Sequence, residues 1–461
     1  MTIAGLDSGG GAGIHADVKT FAALGVHGTT ALTCVTAQNT YEVRRAQCLQ
    51  PDLVRDQILA VHDDMGIDAA KTGMLGTKEI IEEVASLVPK LGFPLVVDPV
   101  MIAKSGAPLI AEDAMKALAE RLLPIAKVVT PNRHEAERLT GMTISSVEDA
   151  KRAAEKIHRE LGSEVVVVKG GHLDVQEAVD VVYVGGAFHE LRTPRLDPRA
   201  THGTGCSFSA AIAAGIAKGL EPLEAVKAAK ALIYTAIKHG VPKGKGHWHV
   251  NPMAWLEIPA ERWRAYEEMW KALKMLEENK TALGAAIPEV QSNLGYAIDP
   301  RYAEGREDVL AIPGRIVRYM GEARPSGPPI FGASDHVARK ILALLRRDPS
   351  ARSALNIRYD EAYVEAAKRL GLAVAVVDRR NEPKEVKERE GGSMQWVVEE
   401  ALRQTGGRTP DVIADLGDWG KEPLITVLGK TPAEALEKAL RIIRGHTRGD
   451  SWRRTTKCSG S

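Results

Sequence analysis

The sequence predicts an α/β protein made of two domains. Short runs of β-branched residues alternate with helical patterns as far as about residue 250, which is typical of a largely parallel sheet covered by helices. The chain has 461 residues, more than a single hydrophobic core usually organises. Residues 241–252, rich in Gly, Lys, Pro and His, interrupt the pattern before it restarts. We therefore predict a domain over 1–257, a helical linker over 258–280, a second domain over 281–445 and a disordered tail over 446–461.

The elements of the first domain follow from hydrophobic periodicity. Between the predicted strands lie amphipathic patterns, and two runs flanking Gly185 and Gly186 predict a β-hairpin. The predicted strands are 31–36, 69–72, 95–99, 128–131 and 165–170, and the hairpin strands are 178–184 and 187–191. The predicted helices are 14–24, 51–65, 77–88 and 112–123, with two more beginning at 203 and 221.

The second half repeats this alternation with different spacing. Residues 259–280 predict a charged amphipathic helix that connects the domains. The segment after residue 445 is basic, rich in Ser, Thr and Gly and without periodicity, which is typical of disorder. Predicted strands lie at 374–377, 412–414 and 424–428, and predicted helices lie near 336–345, 360–370 and 433–443.

Composition excludes several classes of function. A net charge of +1 offers no field to gather nucleic acid or anionic lipid. No run of eighteen apolar residues occurs, and no signal-peptide pattern follows Met1. The four cysteines stand at no metal-ligand spacing and cannot make a disulfide framework for so long a chain. We expect a cytoplasmic protein with reduced thiols and with neither nucleic-acid nor membrane partners.

Two glycine-rich segments of the first domain could meet a phosphorylated ligand. Residues 9–13, Gly-Gly-Gly-Ala-Gly, fit neither the dinucleotide nor the P-loop pattern, so a flexible turn is an equal reading. Gly203, Thr204 and Gly205 open an Ala-rich helix, where unpaired amides and the positive end of the helix dipole favour a phosphoryl group. Cys206 lies on the first turn of that helix, where a thiolate is stabilised and could accept a proton. A small buried core residue is the other reading of Cys206.

These segments belong to an ordered series of motifs that resembles a known family. In order they are residues 2–5, 9–13, 16–20, 37–40, 71–75, 97–101, 103–106, 130–132 with Glu135, 169–172 and 203–206. Together they resemble the hydroxymethylpyrimidine/phosphomethylpyrimidine kinases of the ribokinase-like superfamily, over residues 1–250. The resemblance implies a three-layer α/β/α domain with a mostly parallel sheet. It also implies two ATP-dependent phosphorylations of a hydroxymethylpyrimidine.

The resemblance assigns roles to particular residues. The pyrimidine pocket would be lined by Gly5, Asp17, Gln38, Met74 and Val100. An amide suits Gln38, because an aminopyrimidine edge needs a donor and an acceptor together.

The remaining implied roles concern the phosphoryl group and its cofactors, ATP and Mg²⁺. Asn132 and Glu135 would hold Mg²⁺ through water, and Lys169 would neutralise the transferring phosphate. Gly203, Thr204 and Gly205 would form the anion hole, and Cys206 would replace the aspartate base of most superfamily members.

The sequence departs from the family pattern at two places. Several residues usually precede the first motif, so the start is expected to be misassigned or truncated. Ala200 stands where an Asn is common, which puts a supporting hydrogen bond in question but not the activity.

The second domain carries polar clusters inside Gly- and Pro-containing turns. Polar residues on loops between structured elements are typical of binding sites, although each cluster alone also fits a solvated turn. The clusters are residues 312–315, 331–336, 356–359, 391–395 and 415–423.

In order, these clusters resemble the thiamine-phosphate synthase domain that is found fused behind this kinase, over residues 282–445. The resemblance implies an α/β/α domain with a mixed sheet, like the class II aldolases. It also implies coupling of the pyrimidine diphosphate with thiazole phosphate, releasing pyrophosphate. Arg315, Arg358 and Lys421 are the candidate cations for that group, and His336 would bind a phosphate or assist its departure. Ser334, Asn356 and Ser393 are the further predicted substrate contacts.

Sequence reasoning leaves alternatives for both halves. The second domain could instead sense thiamine phosphates and regulate, although no helix-turn-helix or basic patch is present and Arg315 and His336 are. The first could be a pyridoxal or sugar kinase, against which the Gln38 and Cys206 motifs argue. The partners predicted are small-molecule substrates and further copies of the chain in a homo-oligomer.

Overall fold

The computed structural model describes residues 1–101, 110–170, 177–196, 199–388 and 392–455. The predicted motif at 103–106 and parts of the predicted motifs at 169–172 and 391–395 lie outside them. The chain divides into two compact units, Met1–Glu257 and Ile258–Ser461. No helix in the described part of the chain combines the length and apolar character needed to span a membrane.

The described residues of the first unit form a nine-stranded sheet in the order β3-β2-β1-β4-β5-β6-β7-β8-β9. Neighbours from β2 through β7 pair in parallel, whereas β3, β8 and β9 are antiparallel to their neighbours. The strands are β1 (Thr2–Asp7), β2 (Thr30–Gln38), β3 (Val43–Cys48), β4 (Ala70–Thr72), β5 (Leu95–Val97), β6 (Val128–Val129), β7 (Val165–Val168), β8 (Glu177–Val184) and β9 (Ala187–Pro194). The mostly parallel sheet that the sequence predicts is confirmed.

Helices cover both faces of this sheet. Along β7, Val166 and Val168 pack into one core and Val165 and Val167 into the other, as the two-residue period of a strand requires. The helices are α1 (Gly13–Ala23), α2 (Pro51–Met65), α3 (Lys78–Leu91), α4 (Glu112–Ala117), α5 (Arg133–Thr140), α6 (Val147–Leu161), α7 (Thr204–Ala217) and α8 (Pro222–Lys238). Helices α2 to α6 contribute to the first core, and α1, α7 and α8 to the second, which gives the three expected layers.

Strand β3 overturns the expectation of reduced thiols at two positions. Cys48 of β3 lies directly opposite Cys34 of β2, and the two form a disulfide. Residues opposite one another in an antiparallel pair have neighbouring Cβ atoms, so the pairing follows from a register that the sequence does not display. Cys206 is free.

The second unit contains a mixed sheet, as predicted, in the order β14-β11-β10-β15-β18-β17-β16. Among its described pairs β16 and β17 are parallel, and the others are antiparallel. Its strands are β10 (Leu294–Ala297), β11 (Val309–Ala311), β14 (Ile330–Phe331), β15 (Ser353–Arg358), β16 (Val374–Val377), β17 (Val412–Asp415) and β18 (Leu424–Gly429). A separate hairpin joins β12 (Ile316–Tyr319) to β13 (Glu322–Pro325).

The helix predicted as a linker forms, but it packs within the second unit. Helix α9 (Ala254–Glu278) buries Met269 and Leu276, and its Glu261 forms an ion pair with Arg352 at 3.3 Å. Further helices are α10 (Lys280–Gly284), α11 (Asp335–Leu345), α12 (Glu361–Arg369), α13 (Lys384–Glu388), α14 (Gly392–Gln404) and α15 (Pro432–Thr455). Helix α15 continues past residue 446 into the segment that the sequence predicted as a disordered tail, and residues 456–461 of that tail lie outside the described residues.

Candidate functional site

A cavity of about 760 Å³ lies in the first unit. It opens where parallel strands end, beside Asp7 at the end of β1, Asp98 after β5 and Lys169 after β7. Ligands of open α/β sheets usually bind at this edge, because the loops and helix N-termini converge there.

Most of the residues predicted for the kinase site line this one cavity. They come from separate segments that the fold brings together: Gly5, Gln38, Met74, Val100, Asn132, Glu135, Lys169, Gly203, Thr204, Gly205 and Cys206. Their placement agrees with the predicted site, while the individual roles stay predictions.

Asp17 does not line the cavity, contrary to the prediction. Its carboxylate is fully buried, accepts a hydrogen bond from Thr2 at 2.6 Å and forms an ion pair with Lys71 at 3.1 Å. Lys71 is equally buried, and although desolvation opposes its charge, the Asp17, Cys206 and Asp98 side chains hold the pKa of Lys71 above its ordinary value. Burial raises the pKa of Asp17 although Lys71 and Thr2 oppose it, so this carboxylate on the inner face of α1 is a buried partner of Lys71 and not part of the cavity lining.

Lys169 belongs to a charged group on the cavity wall. Its Nζ lies 3.0 Å from Asp98 Oδ1. Burial would lower the pKa of Lys169, but Asp98 and Glu135 outweigh it and hold that pKa above its ordinary value. The ammonium is therefore charged and can meet a phosphoryl group that enters the cavity.

Asn132 and Glu135 make a capping box at the start of α5. The Asn132 side chain accepts from the Glu135 amide at 3.0 Å, and the Glu135 carboxylate accepts from the Asn132 amide at 2.8 Å. Burial, together with the nearby Asp98, raises the pKa of Glu135 to about 7, against the opposing effect of Lys169. The pair thus has a structural role as well as a position beside the cavity.

The residues present fit a divalent cation held through water rather than directly. In the described part of the chain no three His, Cys, Asp or Glu side chains are grouped to hold a metal. Asn132 and Glu135 already bond backbone amides, so water is the natural bridge from them to an ion. A raised carboxyl pKa beside a second carboxylate indicates negative charge that a cation would relieve.

The turn that opens α7 can approach other chain segments closely because it contains glycine. Gly203 has φ +85°, and a Cβ added there would lie 1.8 Å from the Gly11 carbonyl oxygen. A Cβ on Gly205 would lie 3.2 Å from Asp98 Oδ2 and 3.3 Å from Lys169 Nζ. The first amides of a 14-residue helix therefore stand beside the Lys169 ammonium, which is the arrangement of an anion site.

Cys206 lines the cavity, as predicted. Its thiol is not the stabilised thiolate that the sequence suggested. Desolvation raises the pKa of its thiol to about 11, with Asp17 and Asp98 acting in the same direction and Lys71 in the opposite one. The start of a helix favours a thiolate, yet here two carboxylates and exclusion of water have the larger effect.

In the second unit Arg315 and His336 are close enough to interact electrostatically. Arg315 has φ +72° after Gly314, and its guanidinium donates to the Val290 carbonyl. His336 is exposed on the first turn of α11, and its pKa is lowered by partial burial and then by the Lys340, Arg315 and Arg379 cations, with Asp335 opposing them.

The other predicted contacts of this unit form small groups. Asn356 accepts from the Asn293 amide at 2.7 Å and donates to the Gln291 carbonyl at 3.0 Å. Lys421 donates to Ser393 at 3.4 Å. Ser334 precedes α11 as its N-cap residue without a side-chain cap bond.

Arg358 differs from the other predicted contacts because it is partly neutralised. It lies 3.4 Å from Asp360 and 5.5 Å from the centre of the Tyr363 ring. This carboxylate makes it a weaker candidate for a departing pyrophosphate than Arg315.

Sequence reasoning missed a buried polar group beneath His336. Lys340, one helical turn further along α11, donates to Thr426 at 2.7 Å, and burial lowers its pKa to about 8. Arg379 binds Asp415 through two nitrogens, at 2.8 and 2.6 Å. A lysine inside an apolar helix pattern was the available signal.

The first unit and part of the second match known families. Residues 7–251 match the family model described as phosphomethylpyrimidine kinase, and residues 268–441 match the one described as thiamine-phosphate synthase ThiN. The hydroxymethylpyrimidine/phosphomethylpyrimidine kinase of Streptomyces coelicolor is 48% identical over 246 residues, which cover 53% of this chain and 91% of that protein.

Two further relatives extend these matches. The thiamine biosynthesis bifunctional protein ThiED of Geobacter sulfurreducens is 48% identical over 252 residues, 54% of this chain, and the match spans only 51% of that protein. A Bacillus subtilis pyridoxal kinase, solved as an ADP complex, is 41% identical with a TM-score of 0.52, covering 56% of this chain and 97% of that one. It supports the ribokinase-like fold of the first unit.

Proposed function

Because this chain belongs to the phosphomethylpyrimidine kinase family, we propose that its first unit phosphorylates hydroxymethylpyrimidine and then its monophosphate, with ATP as donor. The observation that carries the proposal is the meeting of Gln38 and Met74 with Lys169, the Gly203 turn and Cys206 on one cavity wall. An amide able to read an aminopyrimidine edge and a cationic phosphoryl site therefore share one volume.

In this mechanism the protein mainly positions the substrates and neutralises the charge on the transferring phosphoryl group. The amides that begin α7 and the Lys169 ammonium stabilise the charge on the transferring group. Gly205 allows that turn to lie against Lys169, since a side chain there would meet its Nζ at 3.3 Å.

Cys206 is the proposed proton acceptor for the substrate hydroxyl. With a thiol pKa of about 11, the thiolate is scarce near neutral pH but strongly basic. We therefore expect the kinase rate to rise with pH from 7 towards 10, and Cys206→Ala to lower it about a hundredfold and to remove that rise.

Rates of both phosphorylations at several pH values test this role, with Cys458→Ala as the control. Cys206→Ala should leave coupling of supplied pyrimidine diphosphate unchanged. Near-normal kinase rates in the variant would make Cys206 a packing residue.

We propose Mg²⁺ as the companion of ATP, held through water by Asn132 and Glu135. Mg²⁺ keeps several waters when it binds protein and usually bridges to substrate phosphates, which suits side chains already bonded to backbone amides. When bound, the ion supplies neutralisation of phosphate charge.

A pyridoxal kinase is the second candidate, because solved pyridoxal kinases cover the same part of the chain at 38–41% identity. One was crystallised with AMP-PCP and pyridoxal. Comparison of kcat/KM for hydroxymethylpyrimidine and pyridoxal decides between them, and a preference for pyridoxal would overturn the first proposal.

For the second unit we propose the coupling of pyrimidine diphosphate with thiazole phosphate to give thiamine phosphate. The ThiN match and the Arg315, Lys340 and Arg379 cations that act on His336 support it, because a departing pyrophosphate needs positive charge. Incubation with hydroxymethylpyrimidine, ATP, Mg²⁺ and thiazole phosphate should yield both the diphosphate and thiamine phosphate. Tight binding of thiamine phosphate without its formation would favour a regulatory sensor.

We also propose that the chain forms a homo-oligomer through α9. Trp263 and Trp270, seven residues apart, are 66% and 55% exposed. Two such helices packed antiparallel about Trp270 would place Glu267 of one copy near Lys274 of the other, so charge favours a second copy as the occupant. Light scattering of the parent should show an oligomer and Trp263→Gln/Trp270→Gln a monomer, whereas an unchanged mass would exclude this surface.

A further inference from the structure

Two glycine turns from opposite ends of the first unit meet at the side chain of Asp7. Its carboxylate accepts from the amides of Gly9 at 2.8 Å, Gly11 at 3.2 Å and Ala12 at 2.9 Å. Three bonds from one carboxylate hold residues 9–12 in a single conformation, which glycines alone would not adopt.

His202 attaches the second turn to the same carboxylate. Its Nε2 lies 2.9 Å from Asp7 Oδ2, and both side chains are buried, with 5% and 4% exposure of the residues. His202 immediately precedes Gly203, so the bond joins the loop after β1 to the turn that opens α7.

The surroundings hold His202 in place. Its amide donates to the Trp248 carbonyl at 3.0 Å, and its carbonyl accepts from Val250 at 3.0 Å. The His249 ring lies 5.2 Å from that of His202, and a Cβ on Gly11 would come within 2.5 Å of both rings. Gly11 is therefore seated between two imidazoles, with its carbonyl against Gly203.

We propose that Asp7 and His202 are positioning residues that align the acceptor side of the cavity with its phosphoryl side. The loop holding Ala12 and Gly13 borders the pocket assigned to the pyrimidine, and Gly203 and Gly205 border the anion site. The Asp7–His202 bond fixes the distance between these walls. This inference rests on the proposed kinase function, because it concerns the residues that keep ATP and the hydroxymethylpyrimidine aligned for phosphoryl transfer.

The experiment uses the full-length protein and the variants His202→Ala, His202→Asn, His202→Gln, Asp7→Asn and the double variant Asp7→Asn/His202→Ala. The amide nitrogen of glutamine is separated from Cα by the same number of bonds as Nε2 of histidine. The amide nitrogen of asparagine is one bond closer to Cα, at the position of histidine Nδ1. Gln should therefore restore the bond to Asp7, and Asn should not. His27→Ala, at an exposed position, is the control.

We expect His202→Ala to lower kcat about 10- to 100-fold with little change in KM for ATP, because small misplacements of reacting groups cost up to about 10² in rate. His202→Gln should recover most of this loss. The double variant should be no slower than the worse single variant, since the two side chains act through one bond.

A second measurement does not depend on activity. Hydrogen exchange of the amides of residues 9–12 should be faster in His202→Ala and Asn than in the parent, and near parental in Gln. An inactive parent protein would refute the proposed kinase function. Hydrogen exchange would still show whether the Asp7–His202 bond holds residues 9–12 in place. Unchanged exchange in His202→Ala, or altered exchange with parental kcat, would overturn the positioning role.

Discussion

The two units handle buried charge in opposite ways. In the first, Glu135 lies near Asp98, and burial together with this carboxylate raises its pKa to about 7. In the second, Lys340 lies near Arg379, and burial together with this cation lowers its pKa to about 8. Each unit thus holds one ionisable group that is short of a counter-charge.

The difference indicates what each site lacks. Lys169 does not offset the effect of burial and Asp98 at Glu135, whose pKa stays raised, which suits a site completed by a cation and a nucleotide. Around His336, burial and the Lys340, Arg315 and Arg379 cations outweigh the opposing Asp335 carboxylate and lower the pKa of His336, which suits a site completed by an anion such as pyrophosphate. Unsatisfied charge is a pointer to ligand class in both units.

Loss of the Lys169 ammonium should give the largest effect on rate. Lys169→Met removes the charge beside the anion site, so the kinase rate should fall about 10³-fold, as when a preorganised electrostatic contact is lost. Coupling by the second unit should be unchanged. Kinase and coupling assays on one preparation measure this, with the exposed Lys218→Met as control. A fall in both activities would show that the two sites are not independent.

The complementary variants lie in the second unit. Arg315→Ala and His336→Ala should each lower thiamine phosphate formation about a hundredfold, near 3 kcal/mol, because a contact that strengthens as pyrophosphate departs is lost. Kinase rate and melting temperature should stay at the parental values. Coupling within a few-fold of the parent in both variants would place the site elsewhere.

Stability should respond to pH with opposite sign in the two units. Because the pKa of Glu135 is raised from 4.5 to about 7 by folding, its charge destabilises the fold increasingly between these values. Glu135→Gln should then stabilise the first unit by about 3 kcal/mol above pH 7 and have little effect near pH 4. The pKa of Lys340 falls from 10.5 to about 8, so its cost is complete below pH 8 and vanishes as pH approaches 10.5.

Lys340→Met should therefore stabilise the second unit near pH 7 by about 2 kcal/mol after loss of the Thr426 bond, and should no longer do so near pH 10.5. Denaturant unfolding across pH measures both variants. The exposed substitutions Glu79→Gln and Lys384→Met are matched controls. Equal effects at all pH values would show that neither group carries a shifted pKa.

The smallest effect is expected from separating the units at residue 257, after the first turn of α9. Residues 1–257 and 258–455 should melt within a few degrees of the parent transitions, because each has its own core. The shorter fragment 281–445 lacks α9 and should be less stable or aggregate. Calorimetry of the three fragments measures this, and an equally stable short fragment would return α9 to the role of a linker.

The sequence predicted secondary structure best in segments where a motif or an apolar run is also buried. The four valines of β7 predict a buried parallel strand, and the Gly203 turn predicts the start of α7. Strand β3 escaped prediction because its Arg44, Arg45 and Gln47 face solvent at the edge of the sheet. Short exposed strands carry little hydrophobic periodicity.

Site chemistry was less predictable than site position. The motifs identified Asp17 and Cys206, but their environments depend on tertiary packing. Packing decides that the face of α1 with Asp17 turns inward, and it places two carboxylates where they outweigh the effect of the helix N-terminus on the pKa of the Cys206 thiol. The Asp7–His202 contact joins residues 195 apart in sequence, and no local pattern reveals it.

Strand order also affects how each unit can assemble during synthesis on the ribosome. The first sheet has its core strands in near-sequential spatial order, so each new strand can add to an existing neighbour as it emerges. In the second sheet β15 lies between β10 and β18, and β17 pairs with both β16 and β18. Until Leu424–Gly429 is made, β15 has an open edge and β16 and β17 cannot join the sheet. The second unit therefore keeps unpaired strand edges, which favour aggregation, until almost all of it has been translated.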